Sequence, residues 1–396
     1  MAAQGAPPNG RDEFWPTEDQ ELLLRAALSQ GEDALAAWKT WKSRNHLVES
    51  ELDQGSFRLL PLVYKNLAAN GVEDDRLMTR LKGVYRYWWC ANQQLFHETV
   101  ALLEGFHEAG IRTMILKGAA LSALYYRDGG VRPMSDVDVL VPYHQAVQAL
   151  ACLAQMGWHP SSRSLAEDLR FRHAAQLLND KGREFDLHWH VFYECLRPDA
   201  DEDLWRRAVP TQMLHIATQT LGPADILLHT VVHGISWNQL PPIRWIADAM
   251  VILRSAGKEM DWDLLLEQAE RRRLLLRFRR GLCYLRDTFD APVPDDVIRR
   301  LNARRPSYGE RIEYSYITLG PGGQSQVFFG YYPFILLGYF RFAGGQSLFR
   351  KVTALPDYLR YHLKVETRAD VLWTLLRDAA RKTRKVLVPW PTNRRP

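Results

Sequence analysis

Residues 115–142 read ILKGAALSALYYRDGGVRPMSDVDVLVP. An apolar run is broken at Gly118, and a second apolar run eighteen residues later carries Asp136 and Asp138 two positions apart. Side chains two apart on a strand share a face. Both carboxylates therefore point one way, while Val137 and Val139 point into the core. The run 183–192, REFDLHWHVF, repeats the pattern, with Glu184, Asp186, His188 and His190 on one face and Phe185, Leu187, Trp189 and Val191 on the other. Clustered carboxylates repel one another, which raises the cost of ionising all of them. A hard divalent cation removes that cost, and Mg²⁺ favours a few carboxylates together with phosphates and water.

Working outward, RTMILKG reads as a strand, AALSALYY as a helix, RDGGVRPM as a loop and SDVDVLV as a second strand. YHQAVQALACLAQMGW is an amphipathic helix. HAAQLLND, the turn DKG and REFDLHWHVF form a hairpin. The order strand, helix, strand, helix, strand, strand describes a small α/β unit. Before it the chain reads helical, with Thr17 as an N-cap and Gly110 as a stop. After it helices return, interrupted by the Gly-rich LGPGGQSQ and closed by a basic tail. The expected division is a disordered lead-in at 1–16, a helical region at 17–110, the α/β core at 111–215, a helical domain at 216–318 and a C-terminal helical region at 319–396. The expected fold class is α+β, a small mixed-sheet core flanked by helical regions.

The net charge of +5 is mild for 396 residues, so it permits an anionic partner without requiring one. Cys90, Cys152, Cys195 and Cys283 form no CxxC pair, which argues against a disulfide framework and a cysteine zinc site and fits a reducing cytoplasm. The opening MAAQGAPPNGRDEFWP lacks the apolar core of a signal peptide. The longest uncharged apolar run, VFFGYYPFILLGYF at 327–340, is too short to cross a bilayer. A buried helix is its plain reading and a membrane-surface contact the sharper one. RRRLLLRFRR at 271–280 reads as a mainly solvated amphipathic helix, and no RNA-reading aromatic motif accompanies it. His229 and His233 sit at i and i+4 of a helix without the Glu of H-E-x-x-H, which favours a structural role.

The sequence LKGAALSALYY…R…SDVDVLV resembles the nucleotidyltransferase superfamily of the DNA polymerase β type, and within it a bacterial nucleotidyltransferase family known mainly from sequence. RLLPLVYKNLAANGV (58–72) is similar to that family's helical lead-in, and HGISWNQLPPIRWIADAMVIL (233–253) to its helical follow-on. The resemblance implies that Asp136 and Asp138 bind metal. It implies a third acid that completes the metal site and activates an acceptor hydroxyl; Asp186 matches by position and face, with Glu184 second. Lys117, Gly118 and Arg132 are expected to hold a triphosphate, with Ser135 and Arg244 as further phosphate contacts and Trp245 as a base-stacking candidate. His188 and His190 orient an acid or hold structure. One departure stands out: the usual turn is Gly-Ser, and here Ala119 follows Gly118.

The expected activity is transfer of a nucleoside monophosphate from an NTP, ATP first, to a hydroxyl acceptor, with Mg²⁺ or alternatively Mn²⁺ as cofactor. A small molecule or peptide is the favoured acceptor, and nucleic acid is not favoured. A toxin-like transferase acting on tRNA and a catalytically silent nucleotide-binding or scaffold protein are the rivals.

Overall fold

Strand-forming residues are concentrated between 114 and 220, and they build one seven-stranded mixed sheet. In chain order the strands are β1 (Met114–Ile115), β2 (Asp138–Leu140), β3 (Trp158–Pro160), β4 (Ala174–Asn179), β5 (Glu184–His188), β6 (Val209–Met213) and β7 (Ile216–Thr220). Their spatial order is β3-β4-β5-β2-β1-β7-β6. The central strands β2 and β5 run parallel, β1 is antiparallel to β2 and parallel to β7, and the pairs β3–β4, β4–β5 and β6–β7 are antiparallel. The computed structural model describes residues 15–45, 52–72, 76–162, 164–235, 243–318 and 331–387. The chain forms two compact units, residues 1–320 and 321–396.

The expected hairpin is present, and its turn is set by side-chain chemistry. Asn179 Oδ1 accepts from the amides of Lys181 (3.0 Å) and Arg183 (2.9 Å), and Gly182 supplies the positive φ. The β6–β7 hairpin is an addition to the sequence reading, and β7 carries the sheet past residue 215 to Thr220. The helix expected after Gly118 is a short α-turn, Lys117–Leu121, that continues as a π-turn over Ser122–Tyr126. Such turns occur often at functional sites.

Helices cover this sheet. Thr17 caps Glu18–Leu28 in a full capping box with Gln20. The helix Arg76–Glu108 stops at Gly110, whose φ of +69° lets the amide of Ile111 turn back to Phe106 O (2.8 Å). Along that helix Asn92 is fully buried. Its amide donates to Gly129 O (2.7 Å) and Arg132 O (2.9 Å), and its Oδ1 accepts from Met134 N (3.2 Å). One side chain thereby fixes the loop that leads into β2. Pro223–Gly234 and Arg244–Ala256 pack together and close the other side of the same loop.

The second unit consists, among the described residues, of helices Tyr331–Phe342, Leu348–Leu363 and Arg368–Leu387. Ile335, Tyr339, Ala343, Tyr358 and Val371 are buried within it. Residues 327–330 of the long apolar run lie outside the described residues, and the rest of the run falls in Tyr331–Phe342. No helix among the described residues is long and apolar enough to cross a membrane.

Candidate active site

Parallel pairing of β2 and β5 places Asp138 directly beside Asp186, with Leu140 beside His188. Because period-two alternation is kept on both strands, Val139 and Leu187 fall on the opposite, fully buried face. One ligand atom from each of Asp138, Asp186 and His188 lies within 4.8 Å of the other two. Asp138 is buried, and its Oδ1 accepts from Lys117 Nζ at 2.5 Å and from His188 Nε2 at 2.9 Å. Burial alone would raise its pKa, but the Lys117 ammonium and His188 outweigh burial and hold it well below the usual carboxylate range. Asp186 goes the other way: burial, then the charge of Asp138, and then that of Asp136, raise its pKa. Asp136 is half-buried two residues before β2, with Ser135 Oγ 3.4 Å from its Oδ1. It contributes charge to the cluster without belonging to the close three-residue group.

The turn at Lys117 has a packing purpose. Lys117 has φ +44°, an uncommon conformation for a side-chain-bearing residue. That conformation starts the helix in the position from which its ammonium reaches Asp138. A Cβ on Gly118 would run into the Arg132 guanidinium and the Met134 thioether. Gly118 therefore makes room for an arginine. Ala119 is buried among the apolar core residues, so the position where a serine is usual faces the core here.

Arg132 is buried and forms a two-pronged pair with Asp248, Nε to Oδ1 at 2.9 Å and Nη2 to Oδ2 at 2.8 Å. Tyr126 donates to the same Oδ1 at 2.9 Å. Burial opposes the charge on Arg132, yet Asp248 more than offsets it and raises the pKa further. Arg244 is half-buried and donates to Pro133 O. Burial and then the nearby Arg132 push its pKa down to about 9, with Arg58 adding to the repulsion. The Arg58 guanidinium has no hydrogen-bond or ion-pair partner among the described residues. Lys117, Gly118, Arg132, Ser135, Asp136, Asp138 and Arg244 all line one cavity of about 350 Å³, with Arg58, His233, Trp245 and Asp248. Three arginines line it, and Asp248 pairs with one of them, Arg132.

Residues 56–290 match the family model of an uncharacterised nucleotidyltransferase. The chain belongs to this nucleotidyltransferase family. A solved structure, described as an antigenic nucleotidyltransferase-like protein from Paracoccidioides brasiliensis, is similar at a TM-score of 0.34 and 16% identity, over 54% of this chain and 95% of that one. No curated protein matches the sequence.

The nucleotidyltransferase places its remaining polar candidates mostly in the core. His229 is buried on one helix, with its ring centroid 5.9 Å from that of His233, which lines the cavity. Burial, with His233 adding to the shift, holds the His229 ring well below the usual imidazole range, so it is neutral. His190 is buried against Asp201 at 2.9 Å and stacks on Tyr143. Trp245 is buried beside Trp15 and Tyr284.

The arginine run at 271–280 differs from the solvated face read from its sequence. Arg277 is buried against Glu194 and Val232 O, and Arg272 against Asp203 (2.8 Å) and Ala200 O (2.9 Å). These arginines tie the helices to the loop after β5. The sequence reading misses Arg58 and Asn92. Each acts on residues about forty or more positions away, and neither lies in a local motif.

Proposed function

We propose that this nucleotidyltransferase transfers a nucleoside monophosphate from an NTP to the hydroxyl of a small molecule or peptide. The acceptor oxygen attacks the α-phosphorus, the bond to the β-phosphate bridging oxygen breaks, and pyrophosphate leaves. The observation that supports this reading best is the register that sets Asp138 beside Asp186, with Asp136 and Asp138 lining the same cavity as Arg58, Arg132 and Arg244. A cluster of acids and a cluster of bases facing one space suits a ligand that is itself a chain of phosphates with a cation.

The residues present fit a hard divalent cation, Mg²⁺ or Mn²⁺. The donors are oxygen-rich, and burial and then the charges of Asp138 and Asp136 raise the pKa of Asp186. Asp138 and Asp186 would hold the ion, with Asp136 as a further oxygen donor. His188 fixes the orientation of the Asp138 carboxylate. When bound, such an ion neutralises phosphate charge and favours the ionised acceptor. Asp186, whose raised pKa suits proton uptake, takes the acceptor proton. Lys117 keeps Asp138 ionised and stands beside the phosphates.

Arg58 and Arg244 carry the β- and γ-phosphates. Gly118 and Arg132 serve the triphosphate by shaping this end of the cavity, and Ser135 stands at its rim. The Gly-Ser hydroxyl is not missed, because phosphate charge is met by guanidinium groups, which bind phosphate bidentately.

The test is incubation with Mg²⁺ and each NTP in the presence of candidate acceptors, read by mass spectrometry for an added nucleotide. Asp138→Asn is expected to lower turnover by about 10³-fold or more. Full activity in that variant would sink the reading. Label appearing on tRNA alone would replace the small acceptor with RNA. NTP binding without any transfer would assign a silent nucleotide-binding role.

A further inference from the structure

The unit 321–396 leaves large apolar side chains open to water. Leu348, Phe349 and Val352 on one helix, and Leu372, Trp373 and Leu376 on the next, are 54–77% exposed. Both triplets have the spacing i, i+1, i+4, which gathers three side chains into an arc of about 100° on the helix surface. Phe340, on the third helix, is exposed as well. The inward faces are already occupied: Tyr339 and Tyr358 pack ring to ring at 5.1 Å, and Val371 is buried with them. The exposed triplets lie outside this small core.

The charge is equally uneven. Residues 321–396 hold thirteen Lys and Arg against four Asp and Glu, a net of +9, whereas residues 1–320 are net −4. The mild overall value hides this split. Three of the four carboxylates are engaged inside the unit. Asp357 accepts two bonds from Arg368 (both 2.8 Å), Asp378 accepts from the Tyr332 hydroxyl (2.7 Å), and Asp370 accepts from Thr367 N and Oγ1. The unit's own carboxylates therefore balance less than half of its positive charge.

We propose that this unit is a peripheral docking surface for an anionic phospholipid bilayer. Exposed Trp, Phe and Leu on a unit rich in Lys and Arg are the side chains that lie in a headgroup boundary, and each cation near an anionic leaflet adds attraction. The exposed aliphatic groups of Leu348, Val352, Leu372 and Leu376 offer nothing to a phosphate backbone, which sets a bilayer ahead of RNA. A second copy of the unit would bring +9 against +9, which opposes self-association. The contact is interfacial, because no described helix is long and apolar enough to span.

The test uses the full chain and two kinds of vesicle, phosphatidylcholine alone and phosphatidylcholine with phosphatidylserine. Co-sedimentation is expected only with the second kind and is expected to fall as salt is raised. The double variant Phe349→Glu, Trp373→Glu should lower vesicle partition by about tenfold or more. Phe349→Leu, Trp373→Leu, which keeps the apolar face, should stay close to the parent. Circular dichroism of all variants controls for folding. A parent chain that stays in the supernatant with both vesicles overturns the proposal, as does undiminished binding by the glutamate variant. Two further results would also overturn it: vesicle-independent binding to poly(U) that survives the glutamate substitutions, and a dimer in sedimentation that these substitutions dissolve.

Discussion

Two ion pairs of the same form sit in different surroundings in the two units. Arg132 and Asp248 meet through two hydrogen bonds with side chains 6% and 5% exposed. Arg368 and Asp357 meet through two hydrogen bonds of matching length with side chains 63% and 25% exposed. In the first unit the charges are desolvated, so each is tolerable only while its partner stays. In the second, water screens both groups and either can do without the other. Geometry alone would rank the pairs equal, and burial separates them. The first pair shapes a cavity, while the second closes a turn between helices.

The comparison can be broken most sharply by Asp248→Asn. It leaves the buried Arg132 charge without a counter-charge and turns the second acceptor oxygen, which faces Arg132 Nη2, into a donor. A stability loss of about 3–5 kcal/mol in chemical denaturation is expected, and a loss under about 1 kcal/mol would show that the pair is not desolvated in solution. Arg58→Ala tests the cavity as a phosphate site. KM for the NTP should rise about tenfold with kcat nearly unchanged and stability unmoved. A fall in kcat at constant KM would remove Arg58 from the ground-state phosphate contacts.

Acid sensitivity sharpens the contrast further. Burial, with the neighbouring His233 adding to it, holds the His229 ring well below the usual imidazole range in the folded protein, whereas the unfolded chain takes up that proton near about pH 6.5. Below that pH the unfolded state binds more protons, so stability rises with pH and is lost as pH falls. The unfolding free energy should drop between about pH 7 and pH 5, by about 1 kcal/mol per pH unit below the unfolded pKa for a fully buried ring. His229→Gln should flatten the dependence, and an equal slope in that variant would assign the acid sensitivity to other groups. The smallest effect belongs to the exposed pair. Asp357→Asn should leave both the denaturation midpoint and turnover where they are, and a loss like that of Asp248→Asn would erase the distinction between the units.

Much of the sheet was legible because its signals are local. The β4–β5 hairpin announced itself through alternating residues around Asn179 and Gly182, and Asp138 and Asp186 through their period-two placement. The β6–β7 hairpin did not. Its turn runs through Leu214, at φ +51°, with no Gly or Asn to mark it. Arg132 illustrates the limit for the site. Its position in a loop before an acidic strand suggested a phosphate ligand, yet its partner is Asp248, 116 positions later. No spacing rule reaches that far. The arginine run at 271–280 misled for a related reason: helical periodicity cannot show which charged residues find buried partners such as Glu194 and Asp203.

The bare Cα of Gly118 bears on how such chains are read. Its vacant side-chain position is occupied by the tip of Arg132, so the two residues act as a lock and its bolt. A chain with a bulkier residue at the position of Gly118 has to shorten or move the arginine, and with it lose the grip on Asp248. In the LKG signature, then, the glycine reports the presence of a distant arginine as much as any nucleotide. Paired substitutions at these two positions should appear or vanish together wherever the fold keeps this cavity.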